Sequence, residues 1–262
     1  MIPRDYITEW RAHAPWARDI QVEQDLVICR ALIDIFSDPL LKDALAFRGG
    51  TALYKLHLKP AARYSEDIDL VQGRRRRSNN AGSARRSRSL AGRAALETER
   101  RSCHLRLSFD SEDTPPIRLR LKVEINSREH FAVHGFTSVP FAVSSRWFEG
   151  SCQITSYALD ELLGTKLRAL YQRRKGRDLF DLATALKNPA VDPARIIAAF
   201  SEYMEQGGHH ITHELFERNL ASKLHDPLFT ADIGPLLAPG HRWDIADAAK
   251  AVSARLIALL PG

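Results

Sequence analysis

Residues 47–71 read FRGGTALYKLHLKPAARYSEDIDLV, a stretch that joins a glycine turn to a pair of spaced carboxylates. Gly49-Gly50-Thr51, opening a helix over residues 51–57, presents backbone N–H groups, a hydroxyl and the positive end of a helix, a combination that suits a phosphate. Pro60 stops that helix, because it lacks an N–H and its ring clashes with the preceding turn. Downstream, Ile68 and Leu70 alternate with Asp67 and Asp69, the period of a short strand with both carboxylates on one face. Two like charges so placed repel unless a cation neutralises them, and Mg2+ binds through one or two carboxylates together with substrate phosphates. Alone, the glycine pair could be an ordinary turn and the Asp-x-Asp a solvated strand face. In this order, a phosphate cradle followed by a carboxylate pair points to metal-assisted phosphoryl or nucleotidyl transfer.

Further along, residues 117–125 read IRLRLKVEI, apolar at every odd position and charged at every even one, which predicts a strand. Its polar face carries Arg120, Lys122 and Glu124, and pairing beside the aspartates would make Glu124 a third acid. Further strands are expected over residues 104–109 and 136–143, with Asp113-Thr114-Pro115-Pro116 as a turn. An amphipathic helix is expected over residues 20–36. Residues 72–99, rich in Arg, Ser, Gly and Asn, read as an insertion that admits a short helix around residues 90–96. Near residue 150 the texture turns helical. Ser156 offers an N-cap for a helix over residues 159–171 with Glu161 in its first turns, Lys175-Gly176 breaks it, and another begins near Asp178. Helices separated by Asn188-Pro189, Gly207-Gly208, Asp226-Pro227 and Pro239-Gly240 continue to a last one over residues 244–260. The layout is a mixed α/β half over residues 1–150 followed by an all-α half over 151–262.

The 262 residues are 44% hydrophobic and 27% charged, which excludes wholesale disorder, collagen and coiled coil. No apolar run approaches the ~20 residues that cross a bilayer, and no cationic and apolar leader opens the chain. A soluble, cytoplasmic protein with no membrane partner is expected. Cys29, Cys103 and Cys152 are too few and too scattered for a disulfide framework or a zinc site. The net charge is +6, yet residues 74–106 hold eleven arginines against Glu97 and Glu99, so the remainder is net acidic. Such a block reads either as an arm that contacts nucleic-acid phosphate or as a solvated loop. His209, His210 and His213 lack a glutamate placed as in HExxH and read as a polar helix start. Trp10, Trp16, Trp147 and Trp243 are expected in cores or at the domain seam.

The pattern RGGTALxK…RxSEDIDL resembles the AbiEii-like nucleotidyltransferase toxins, including the MenT group, within the DNA polymerase β-type nucleotidyltransferase superfamily. Residues 166–182, KLRALYQRRKGRDLFDL, resemble the lysine and Arg-Asp segment of the same toxins. Together the matches span roughly half the chain. Fifteen residues separate Thr51 from Asp67, longer than the usual polymerase β spacing.

The resemblance implies an α/β (α+β) nucleotidyltransferase domain with a small mixed sheet over residues 1–150, including an Arg-rich insertion at 72–101. An all-α C-terminal helical bundle over 151–262 would complete the active-site cleft. It also implies that Gly49, Gly50 and Thr51 cradle the triphosphate and that Asp67 and Asp69, with Glu124, hold Mg2+. Lys166 would reach triphosphate oxygens, Arg177 and Ser65 would lie at the nucleotide, and the family's essential aspartate matches Asp181 best and Asp178 next. The implied reaction transfers a nucleotide from an NTP, CTP or GTP, to the 3′ end of tRNA, blocking aminoacylation and translation, with a cognate antitoxin as partner. Ser65 resembles a serine that some members carry phosphorylated, which would place about −2 of charge beside the carboxylates and Arg63. From the residues alone, Lys166 and Arg173 share a helix face, and Arg177 with Asp178 could equally form a structural salt bridge. Two other readings stay open: a nucleotidyltransferase acting on a protein or small-molecule (antibiotic) hydroxyl, and a non-catalytic RNA-binding module, which would be expected to have lost an acid or Lys166.

Overall fold

The computed structural model of the protein describes residues 2–73, 93–99, 102–112 and 115–262. Arg4–Trp10 forms α1 and Asp19–Ser37 forms α2, the amphipathic helix expected over residues 20–36. Asp25 in α2 is buried and accepts from the indole N–H groups of Trp10 (3.0 Å) and Trp16 (3.2 Å). Both carboxylate oxygens thereby have a donor, which is the condition for placing such a group in a core. Asp38 caps the short α3 (Pro39–Ala44), which leads into β1 (Leu45–Arg48). Next comes α4 (Gly49–Ala52), continued by a π-helical turn at Leu53–His57, and then β2 (Ile68–Gln72).

Five more strands complete a seven-stranded sheet: β3 (Arg93–Glu99), β4 (Ser102–Asp110), β5 (Arg118–Asn126), β6 (Phe136–Ser144) and β7 (Glu149–Tyr157). Their order is β3-β4-β5-β2-β1-β7-β6. β1 runs antiparallel to β2 and parallel to β7, β2 runs parallel to β5, and β3, β4 and β5 form an antiparallel meander, so the sheet is mixed. The alternation read in residues 117–125 appears as buried Leu119, Leu121 and Val123 on one face of β5 and Arg118, Arg120, Lys122 and Glu124 on the other. Near β5, α2 anchors itself through Gln24, whose side-chain amide donates to the Arg120 carbonyl at 3.1 Å.

Two local readings change. Residues 93–96 lie in a strand, not in the short helix expected around 90–96, because pairing with β4 overrides a weak local preference. Residues 90–92, most of the arginine block and Asp113-Thr114 lie outside the described residues. Ser156 is no helix N-cap: it is buried inside β7, and its hydroxyl donates to the Phe47 carbonyl of β1 at 2.8 Å. The helix that follows starts after Ala158 with no side-chain cap.

The chain forms two compact units, one of Met1–Ala52, Glu66–Phe131 and Thr137–Ser156, the other of Leu53–Ser65, Ala132–Phe136 and Tyr157–Gly262. The first contains most of the sheet with α1 to α4. The second is helical: α5 (Leu159–Gln172), α6 (Gly176–Ala185), α7 (Pro193–Gln206), α8 (His213–Leu224), α9 (Pro227–Ala231) and α10 (Ile245–Arg255). Asp192, Thr212, Asp226 and Asp244 supply the N-caps of α7 to α10 through their side-chain oxygens. Among the described residues no helix is long and apolar enough to cross a membrane.

Inside the helical unit α5 crosses α7 at close range. A Cβ on Gly164 would sit 2.7 Å from Ala199 Cβ and 2.9 Å from the Ile196 carbonyl oxygen. Gly164→Val should therefore destabilise the helical unit by about 1–3 kcal/mol through overpacking, read as a lower Tm. Gly234→Ala, whose Cβ would meet nothing within 4 Å, should stay within about 0.5 kcal/mol of the parent in the same scan.

Candidate active site

The sheet unit gathers the carboxylates through strand register. Pairing of β2 with β5 sets Asp69 opposite Glu124, and pairing of β2 with β1 sets Arg48 on the other side of Asp69. Residues directly opposite share a face, so Arg48, Asp69 and Glu124 lie in a row across three strands. Asp67 precedes β2 by one residue and is held from behind. Thr51, buried in α4, donates its hydroxyl to the Asp67 carbonyl at 2.5 Å. Thr51 thus fixes α4 to the start of β2, a positioning contact that spacing alone does not reveal.

Gly49 explains the glycine turn. Its φ of +80° lies in the left-handed region, and a Cβ there would be 2.9 Å from Asp69 Cβ and would overlap Asp69 Oδ2. The Asp69 carboxylate therefore lies directly over the Gly49 backbone at the start of α4, where any side chain would displace it. The donors at hand, Asp67 and Asp69 with Glu124 on the next strand, are all hard oxygen ligands. They fit the Mg2+ preference for one or two carboxylates supplemented by phosphate oxygens. Among the described residues no three His, Cys, Asp or Glu side chains surround a common point.

Two cations of this region have partners that the motif reading did not assign. Lys122, two residues before Glu124 on the same face of β5, places Nζ 2.6 Å from Glu124 Oε2. Its ammonium is held above the ordinary lysine value by that hydrogen bond, against some desolvation, and by the charges of Glu124, Asp67 and Asp69. Arg48 forms a largely buried ion pair with Glu129 at 2.6 Å. The alternation of residues 117–125 was the signal for Lys122; nothing in the sequence pairs Arg48 with a residue 81 positions away.

The helical unit gathers the other candidates. Lys166 Nζ lies 3.1 Å from Asp178 Oδ1 and 2.8 Å from Asp181 Oδ2, with both carboxylates fully buried. Asp181 also receives Arg63, Nε to Oδ1 at 2.6 Å and Nη2 to Oδ2 at 2.7 Å, a bidentate pair in the interior, and the Tyr54 hydroxyl at 2.8 Å. Asp178 binds Arg173 in the same two-pronged way, at 2.6 and 2.7 Å. The shared face of Lys166 and Arg173 thus closes on one aspartate. Arg177 takes a different partner: its backbone N–H and guanidinium approach Asp232, at 3.2 and 3.8 Å, while Asp178 pairs with Lys166 and Arg173. Ser65 is half-buried, and Arg63, expected beside it, directs its guanidinium to Asp181 and to the Tyr64 carbonyl.

Burial by itself would raise the Asp181 carboxyl, but the Arg63 guanidinium and the Lys166 ammonium outweigh it and hold the group well below the usual carboxylate range. Asp178 is lowered in the same way, against its burial, by Lys166 and Arg173. A depressed folded-state value means the stabilisation is complete above the unfolded carboxylate value, near about 4, and is lost as pH falls toward the folded one. Asp181→Asn should cost about 3–5 kcal/mol at neutral pH by leaving Arg63 without a charged partner. It should also flatten the fall of stability below about pH 4, as checked by urea unfolding across a pH series.

The fold has known counterparts. The profile of the nucleotidyl transferase AbiEii toxin of type IV toxin–antitoxin systems matches residues 30–251. No curated protein matches the chain by sequence. Among solved structures, MenT4, a nucleotidyltransferase toxin from Mycobacterium tuberculosis, aligns over 100% of this chain and 91% of its own, with a TM-score of 0.63 at 16% identity. JHP933 from Helicobacter pylori aligns over 91% of this chain and 90% of its own, with a TM-score of 0.55 at 14% identity. At those identities the two structures establish the fold, and the profile, which spans most of the chain, establishes the lineage: the protein belongs to the AbiEii nucleotidyltransferase toxin family.

Proposed function

We propose that this toxin nucleotidyltransferase transfers a nucleotide from an NTP, with Mg2+, to the 3′ end of tRNA, blocking aminoacylation. Family membership carries with it an NTP substrate and an antitoxin partner. The observation that carries the chemistry is the register that aligns Asp69 with Glu124 while its carboxylate lies against the Gly49 backbone. Bound there, Mg2+ would lower the pKa of the attacking hydroxyl and stabilise charge on the phosphates.

The chain's own residues do the rest. Asp67 and Asp69 hold the metal, with Glu124 as third acid. The Gly49-Gly50-Thr51 backbone receives the triphosphate. Lys166 gives a compact positive charge to the departing pyrophosphate, with Asp181 and Asp178 orienting it, and Arg177 and Ser65 contact the nucleotide. An RNA acceptor is supported by the charged face of the sheet. Exposed Arg120 and Arg118 share a face with Lys122, and exposed Arg106 on β4 stands opposite Lys122. Arg118 is itself paired with Asp110 at 3.0 Å, and the remaining cations, Arg120, Lys122 and Arg106, lead toward the carboxylates in a way that suits a polyanion whose end must reach them. A cytoplasmic reaction is part of this reading, because NTPs and tRNA are its substrates.

Label transfer tests this reading. Purified protein is incubated with Mg2+, total RNA and each α-labelled NTP in turn, beside Asp69→Ala. A labelled band of tRNA length is expected with CTP or GTP and absent from the variant. Gly49→Ala should lose at least about 100-fold in rate by displacing Asp69. No RNA labelling by folded protein would redirect the search to a protein or small-molecule hydroxyl. Phosphorylation at Ser65 is proposed to silence the enzyme, so intact-mass analysis after co-expression with its antitoxin should show a phosphoryl adduct that Ser65→Ala removes.

A further inference from the structure

The carboxylate row already has a cation. Lys122 reaches Glu124 at 2.6 Å, and across the β2–β5 pairing it stands level with the approach to β2, where Asp67 and Asp69 add their fields to its own. Lys122 and Glu124 are about one-third exposed, so the ammonium can leave for solvent without unfolding anything. Glu124 cannot give its full negative charge to a divalent ion while Lys122 remains on it. A +2 ion placed near Asp69 also repels the ammonium directly.

We propose that Lys122 is the resident counter-ion of the carboxylate row, and that divalent metal binding and the Lys122–Glu124 pair are mutually exclusive. The lysine offsets part of the negative charge of the three acids when no metal is bound, and the metal must expel it from Glu124. Lys122 is thus a positioning residue that sets how tightly the site takes its metal. The inference rests on the metal reading of Asp67, Asp69 and Glu124 proposed above.

The test is calorimetric titration of Mn2+ alone into the full-length protein, its Lys122→Met and Lys122→Arg variants, and Asp69→Asn. Lys122→Met, close in shape but uncharged, is expected to bind Mn2+ on the order of tenfold more tightly at low ionic strength, a gain that shrinks with added salt. Lys122→Arg should stay near the parent, and Asp69→Asn should weaken binding. Equal or weaker binding by Lys122→Met, with the parent still binding, overturns the counter-ion role and leaves the metal site standing. No Mn2+ binding by the parent or by Lys122→Met overturns both. A second readout uses the parent sequence, so it does not depend on a variant that binds metal. In protein whose lysines carry isotopically labelled dimethyl groups, the Lys122 resonance, assigned by its loss in Lys122→Arg, is expected to shift as Mg2+ saturates the site. A Lys122 resonance that stays fixed while Mg2+ binds overturns the proposal.

Discussion

Like charge on adjacent parallel strands is the constraint around which the sheet unit is arranged. Once β2 pairs with β5, Asp69 and Glu124 face each other across the strands, with Asp67 at the head of the same strand. Carboxylates on one face of neighbouring strands repel unless cations are supplied. The surrounding choices answer that demand. Lys122 bonds Glu124, and a glycine with positive φ lets the helix start press against the Asp69 carboxylate. Thr51 ties that helix start to Asp67, so the glycine turn and the head of β2 keep one geometry.

The helical unit treats charge differently. Asp178 and Asp181 are fully buried, and a buried charge is stable only when paired and hydrogen-bonded. Arg63, Arg173, Lys166 and the Tyr54 hydroxyl supply those bonds. Arg63 and Tyr54 come from the segment Leu53–Ser65, which belongs to the helical unit although it lies between β1 and β2 in the chain. A segment with glycine-turn chemistry at one end and Asp-x-Asp at the other therefore also delivers a core arginine to α6. Where the Lys122–Glu124 pair of the sheet row stays about one-third exposed, this cluster is buried and each of its two aspartates is met by more than one cation.

Much of the framework was legible in local pattern. Strict alternation in residues 117–125 identified β5 and put Lys122 and Glu124 on its polar face, and apolar spacing marked α2. Proline, glycine and aspartate punctuation marked the later helices, whose caps at Asp192, Thr212, Asp226 and Asp244 are local hydrogen bonds. Other features were not legible. Ser156 looks like an N-cap in sequence because serine before an apolar run often is one, yet its hydroxyl is claimed by Phe47, 109 residues earlier. Residues 93–96 carry no decisive local preference, and β4 decides their state.

By itself the sequence determined which residue types stand at short separations: Gly-Gly-Thr at a helix start, two acids two residues apart, an alternating strand, and a lysine one helix length from an Arg-Asp pair. Short-range stereochemistry fixes those relations, because the rise and period of a helix or strand leave little freedom over a few residues. Tertiary structure decided who neutralises whom. Arg63 meets Asp181 and Arg48 meets Glu129 across 118 and 81 residues, while Asp69 is set opposite a like charge, Glu124, 55 residues away. Such pairings follow from strand order and burial, and a carboxylate is matched with whichever cation the fold brings within hydrogen-bond reach.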